Sequence, residues 1–200
     1  MDYTDLTNVK ASMDAQVASA DTILPPWITK ASRYIDRLST SQPNVSDYFK
    51  AEDVVDEVLT NGMIDYAGRL WVYPHKPIIN SVAALSYRFS LKDAWSPADM
   101  TLVVPMQEVV QFEGSLPYNE MTYVKISYNG GLGATLADLP QDLIDIVTVQ
   151  TVRLYKEARS GLGDAIGIQE LGSLIYTKAF AARVMESLND GNYIRTASWT

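Results

Sequence analysis

Cysteine is absent from this sequence, which excludes a disulfide framework, a thiolate metal centre and a cysteine nucleophile. Histidine is nearly absent. His75 is the single one, so a Ser-His-Asp triad or a His-rich metal site has one candidate and no companions; between Pro74 and Lys76 it reads as a structural or surface residue. No stretch approaches the roughly 20 apolar residues needed to cross a bilayer. The opening residues, MDYTDLTNVKASMD, have neither the basic start nor the apolar run of a signal peptide, so none is expected. Positive charge is also in deficit: 16 Lys and Arg against 24 Asp and Glu give -8. That sign argues against a protein that grips nucleic acid by neutralising phosphates, yet it suits a surface past which DNA slides without sticking.

Catalytic and cofactor patterns are missing as well. Gly130, Gly131 and Gly133 lack the Lys-Ser/Thr that completes a phosphate-binding loop, and Leu136 stands where a dinucleotide fingerprint needs its third glycine. Asp53, Asp56 and Glu57, or Asp142 and Asp145, are acid/base or divalent-cation candidates in principle, but they read as solvated faces and helix starts and do not meet the calcium-loop spacing. Neither an enzyme nor a cofactor or metal is expected. The 12 Tyr and four Trp are spread along the chain instead of alternating with basic residues, which weakens a single-stranded nucleic-acid reading. Trp71, Tyr73 and Trp95 are the candidate interface aromatics, since flat protein contacts favour Trp and Tyr.

What is present is enough apolar material for a sizeable core, 47% of 200 residues, in one domain or one domain with an insertion. The chain is organised around residues 123–159. Tyr123 to Tyr128 alternate, with Tyr123, Lys125 and Ser127 on one face and Val124, Ile126 and Tyr128 on the other, the period of a half-buried strand. A glycine turn follows. Pro140 then suits a first helical turn and Asp142 the positive end of the helix dipole. Leu143, Ile146, Val147, Gln150 and Leu154 recur at three and four, and Ile144, Val149, Val152 and Tyr155 widen that face, so this long helix needs two neighbours. Lys156 and Arg159 close it.

Residues 3–20 predict a first helix, capped by Thr4 or Asp5, with Leu6, Val9, Met13 and Val17 as its stripe. Asp21 and Thr22 offer a second cap, and Pro25 and Pro26 open a helix whose face is Trp27, Ile28, Ala31, Tyr34, Ile35 and Leu38. From Tyr48 the pattern changes to short alternating runs. Val54 to Leu59, Met63 to Val72, Ile78 to Phe89, Met100 to Val104 and Val109 to Phe112 predict strands, with Asn61-Gly62 the best hairpin turn. Residues 163–176 predict a loop or short turn, and Lys178 to Leu188 a final helix with Phe180, Val184, Met185 and Leu188 inward. In the tail, NYIRTASWT, nothing packs by itself. Tyr193, Ile194 and Trp199 are expected to be exposed and suited to docking, with a reach of about 40 Å at ~3.3 Å per residue over the last dozen residues.

The strand ending in an aromatic, the glycine turn, the Pro-Gln-Asp-Leu helix start and the Leu154, Tyr155, Arg159 helix end resemble the small head-tail connector (adaptor, or head-completion) proteins of tailed bacteriophages. Ile28 to Asp36, with its Ala31-Ser32 pair before Ile35-Asp36, and Leu70 to Leu85, with proline and an aliphatic pair before Ser81-Val82, resemble the same family in the same order. The expected fold is α+β: a helical bundle from residues 1–45 and 136–188, a β-rich insertion at 46–135 and an extended C-terminal arm at 189–200. The resemblance implies a non-enzymatic virion protein, made in the host cytoplasm, that forms a ring beneath the portal protein, dodecameric in relatives. There it extends the channel through which double-stranded DNA passes, helps retain the genome and docks the next neck or tail protein. Tyr193, Ile194, Arg195 and Trp199 are the expected contacts to portal or a neighbouring subunit. A tail-completion or terminator ring protein is the alternative within structural proteins. A β-rich carbohydrate-binding or hydrolase module is the alternative from another class.

Overall fold

The computed structural model describes residues 1–13, 20–40, 47–76, 78–160, 182–191 and 193, and divides into two compact units, Met1–Asp47 with Thr135–Thr200 and Tyr48–Ala134. One unit is helical and the other is a sheet, so the fold class is α+β.

In the helical unit, α1 (Leu6–Met13), α2 (Ala20–Ile23), α3 (Pro25–Ser39), α4 (Gln141–Ser160) and α5 (Ala182–Asp190) follow in chain order. Asp5 caps α1 by accepting from the Asn8 N–H at 2.8 Å, as expected of a short acidic side chain there. Asp21 and Thr22 lie inside α2 instead of capping it, because Pro25 and Pro26 open α3 at its N1 and N2 positions and leave the cap to Leu24. α1, α3 and α5 each pack on α4. Val9, Leu24, Ile28 and Tyr155 form one buried cluster, with Leu6, Met13, Trp27 and Val152 against it. Along α4, Leu143, Ile146, Val147 and Thr151 are buried, whereas Val149 is exposed, so the apolar surface stops short of the full width that its sequence offers.

The buried face of α3 includes three polar residues, Ser32, Asp36 and Ser39, that an apolar stripe does not predict. Burying a carboxylate is costly unless donors surround it. Asp36 has them: it accepts from the Tyr3 hydroxyl and, at 3.0 Å, from the Asp47 N–H, with the Arg33 guanidinium 3.6 Å away. The Ser32 hydroxyl accepts from the Tyr3 N–H at 3.0 Å.

The sheet unit holds seven antiparallel strands in the order β4-β3-β7-β1-β2-β6-β5, curled into a half-barrel. They are β1 (Glu52–Ile64), β2 (Leu70–Val72), β3 (Ile79–Arg88), β4 (Ser96–Pro97), β5 (Val103–Pro105), β6 (Val110–Phe112) and β7 (Asn119–Gly130). Their inward residues, Leu59, Ile64, Leu70, Val72, Leu85, Val110, Phe112, Val124, Ile126 and Tyr128 among them, make one core. β7 lies inside the sheet and pairs with both β1 and β3. Curling brings β3 beside the end of β5, where the Ile79 N–H donates to the Gln107 carbonyl at 3.0 Å.

Three strand expectations are corrected. Asn61-Gly62 is not a turn: both lie within β1, and Gly62 pairs with Thr122 between two register shifts. A Cβ on Gly62 would come 2.6 Å from Val124 Cγ2 and 2.7 Å from the Thr122 carbonyl, so glycine serves close strand approach there. The run Met63 to Val72 is two strands split by the true turn, in which the Asp65 carboxylate accepts from the Ala67 and Arg69 N–H groups at 2.8 and 3.0 Å and Gly68 takes φ 79°. Met100 to Val104 begins as a 3-10 turn over Met100–Leu102, because Asp99 caps the Thr101 N–H. The glycine turn after β7 does need a glycine: Gly131 has φ 127°, and a Cβ would come 2.3 Å from the Lys50 carbonyl.

Candidate interaction surface

A sheet with one face in a core normally turns polar residues outward. β7 turns Thr122, Val124, Ile126 and Tyr128 inward, all buried, and Met121, Tyr123, Lys125 and Ser127 outward. Pairing extends that outward row sideways. Val58 of β1 and Ser86 of β3 stand opposite Lys125, and Arg88 stands opposite Tyr123. Beyond β3, Ser96 pairs with Tyr87, which brings Trp95 alongside Arg88.

The Arg88 guanidinium lies 4.3 Å from the Trp95 ring centroid and 5.6 Å from that of Tyr123, and Lys125 Nζ lies 5.9 Å from Trp95. Cations over aromatic faces are attracted by the ring quadrupole, so this corner is a pre-ordered platform of two cations and two aromatics. One guanidinium N–H donates to the Leu91 carbonyl at 3.1 Å, while Nε is buried with no hydrogen-bond partner among the described residues. Lys125 has only the Asp56 carboxylate at 3.7 Å as an ion-pair partner among the described residues. Val58 and Met121, 54% and 56% exposed, extend the platform with aliphatic surface.

The outward row continues across β1, β2, β6 and β5 as Met63, Trp71, Gln111 and Val104, by direct cross-strand pairing. The Trp71 indole donates to Asp65 Oδ2 at 3.1 Å. Gln111 is buried within this row and its Nε2 has no partner among the described residues.

A polar network closes one end of the sheet. His75 Nδ1 meets Glu57 Oε1, the Tyr128 hydroxyl accepts from the Lys76 N–H at 3.2 Å, and Lys76 Nζ contacts Glu52 Oε1 at 2.8 Å. Burial alone would raise the Glu57 pKa; hydrogen bonds from His75 and Tyr128 and the charge of His75 outweigh it and hold the carboxyl below its ordinary range. Glu52 is lowered in the same way, burial opposing and Lys76 prevailing. Asp53 accepts from Asn129 Nδ2 at 2.8 Å and Asp56 from Ser127 Oγ at 3.3 Å, so these acids belong to the sheet's own hydrogen bonding. Among the described residues no group of three or more Asp, Glu or His is placed to hold a metal ion, and no helix is long and apolar enough to cross a membrane.

Of the residues singled out by sequence, Trp71 and Trp95 stand half-buried on the outward side of the sheet, and Tyr73 follows β2, its carbonyl accepting from Asn61 Nδ2 at 3.3 Å. Tyr193 is corrected from exposed to buried: its hydroxyl donates to Asp142 Oδ1 at 2.7 Å. Burial, that hydrogen bond and the Asp142 charge raise its pKa well above the usual phenol value. Ile194, Arg195 and Trp199, like Phe180, lie outside the described residues. Arg88 was missed, although the alternation that puts Tyr123 and Lys125 on one face was readable; what brings Arg88 to them is the β3–β7 register, which sequence does not fix.

Searches of family models and of curated proteins give no match. Solved structures do match. A chain in the neck of an empty GTA particle, computed with C6 symmetry, superposes with a TM-score of 0.52 at 15% identity, over 96% of this chain and 91% of that one. The chain has the fold of a gene transfer agent neck chain. Chains in the native GTA virion (TM-score 0.48, 17% identity, 93% and 84% covered) and in the native neck computed with C12 symmetry (0.46, 15%, 96% and 93%) are also similar.

Proposed function

We propose that this chain is a non-enzymatic structural protein of the neck of a phage-like virion, made in the host cytoplasm and built into the head-tail interface. The observation that carries this is the fold match along nearly the whole length of both chains, 96% and 91%, to a particle-neck chain. The connector-like order of helix, extended segment, strand and long helix in the sequence points the same way.

In this reading the chain forms a ring beneath the portal, a dodecamer as the family resemblance implies, and a multiple of the C6 symmetry used for that neck. The helices form the connector core, the sheet unit faces partners, and residues 189–200 serve as the docking arm, with Ile194, Arg195 and Trp199 reaching portal or an adjacent subunit and Tyr193 anchoring the arm's root. The acidic balance suits a channel that lets double-stranded DNA through during packaging and ejection without binding it. The downstream neck or tail protein docks on the opposite side.

The mass of the purified protein, alone and mixed with portal, followed by negative-stain imaging, tests this. A ring on portal is expected. A monomer that ignores portal overturns the adaptor reading.

A further inference from the structure

A ring of identical chains needs two different surfaces on each chain, one for each neighbour. The sheet unit carries two of opposite character. The first is the platform of Arg88, Trp95, Tyr123 and Lys125 with Val58 and Met121. The second is the edge at the 3-10 turn and β5, where Met100, Leu102, Val104 and Met106 are 37% to 39% exposed. Asp99 and Glu113 flank that edge; the Glu113 N–H donates to the Leu102 carbonyl at 2.9 Å, and neither carboxylate has an ion pair among the described residues.

We propose that the aromatic-cationic platform of one copy receives the acidic-aliphatic β5 edge of a second copy. This rests on the ring reading above and names its contact. Three observations favour this occupant. A guanidinium stacked on an aromatic ring is pre-ordered to meet a carboxylate, and Arg88 is held in that way over Trp95. A contact of the platform with itself would set Arg88 against Arg88, which like-charge repulsion disfavours. A chain of net charge -8 is also a poor phosphate binder, so a carboxylate from another copy is a better complement than a nucleic acid.

The test is mass photometry and sedimentation equilibrium of the full chain and of Arg88→Glu, Glu113→Arg, the double variant and Lys125→Gln, at about 0.05 M and 0.5 M salt. Circular dichroism checks that each is folded. Each charge reversal is expected to raise the assembly concentration at least about tenfold, the double variant to recover most of that loss, and Lys125→Gln to act a few-fold in the same direction. Folded Arg88→Glu that assembles like wild type, or a double variant no better than the singles, overturns the proposed contact and leaves the ring reading standing. Wild type that stays monomeric at every concentration and with portal overturns both. Arg88→Glu that assembles normally but loses binding of a short DNA duplex overturns the contact in favour of phosphate.

Discussion

The two units handle polarity in opposite ways. The helical unit puts a carboxylate inside: Asp36 is fully buried and held by Tyr3, Asp47 and Arg33. The sheet unit keeps its core apolar apart from Thr122 and puts apolar groups outside. Among the described residues, every exposed large hydrophobic except Ile23 and Val149 belongs to the sheet unit. A buried, satisfied carboxylate specifies one arrangement of the chain around it, and removing it leaves donors stranded. An outward apolar surface does nothing for the isolated chain and points to a partner. The first unit is therefore expected to be sensitive to mutation in stability, the second in assembly.

Asp36→Ala should have the largest effect, a loss of about 3–4 kcal/mol from stranding the Tyr3 and Asp47 donors, read by urea unfolding. Unchanged stability would mean that the carboxylate is not what orders the helical unit. Gly131→Ala should cost about 3 kcal/mol in the sheet unit, because the positive φ and the Lys50 carbonyl both oppose a Cβ; thermal melting resolves it. Tyr193→Phe should cost only about 1 kcal/mol, since Asp142 is exposed and water can replace the phenol.

Acid should act on the sheet more gently. Glu57 and Glu52 have folded pKa values below 4.5, so their contribution is present above pH 4.5 and fades as pH falls through the folded values. Glu57→Gln should flatten that part of the stability profile below pH 4.5, and an unaltered profile would remove Glu57 from the account. The raised Tyr193 pKa has the opposite sign: its contribution is complete below pH 10.0, the ordinary value, and is lost as pH rises further.

Much of this was legible in the sequence where one periodicity decides. Val124, Ile126 and Tyr128 alternate inward as read, Pro25-Pro26 opens a helix, and Val110 to Phe112 pairs as a strand. Misreadings arose where a residue's usual role gave way to a long-range contact. Asn61-Gly62 has the chemistry of a hairpin turn, yet Gly62 is used for its missing side chain against Val124, and the turn falls to Asp65, whose carboxylate collects the N–H groups of the loop. Tyr193 looked like a free aromatic because its partner, Asp142, lies 51 residues earlier in the chain. The platform was half legible: Tyr123 and Lys125 share a strand face, but Arg88 and Trp95 reach them only through cross-strand register, a property of pairing that depends on the whole sheet.

The position of β7 governs the order in which the chain can mature. Among the described residues it is the last strand to be synthesised, and it joins β1, which pairs Glu52 with Gly130, to β3, which pairs Arg88 with Tyr123. Until the ribosome has delivered residues 119–130, β1 and β3 each present an open backbone edge with nothing to pair. The next long element, α4, is the one on which α1, α3 and α5 pack. A single late stretch, Asn119–Ser160 by the bounds of β7 and α4, thus supplies both the strand between β1 and β3 and the helix on which α1 and α3 pack, so a nascent chain stopped before it has neither, and the slow, long-range closure that results is the step at which a chaperone would matter most.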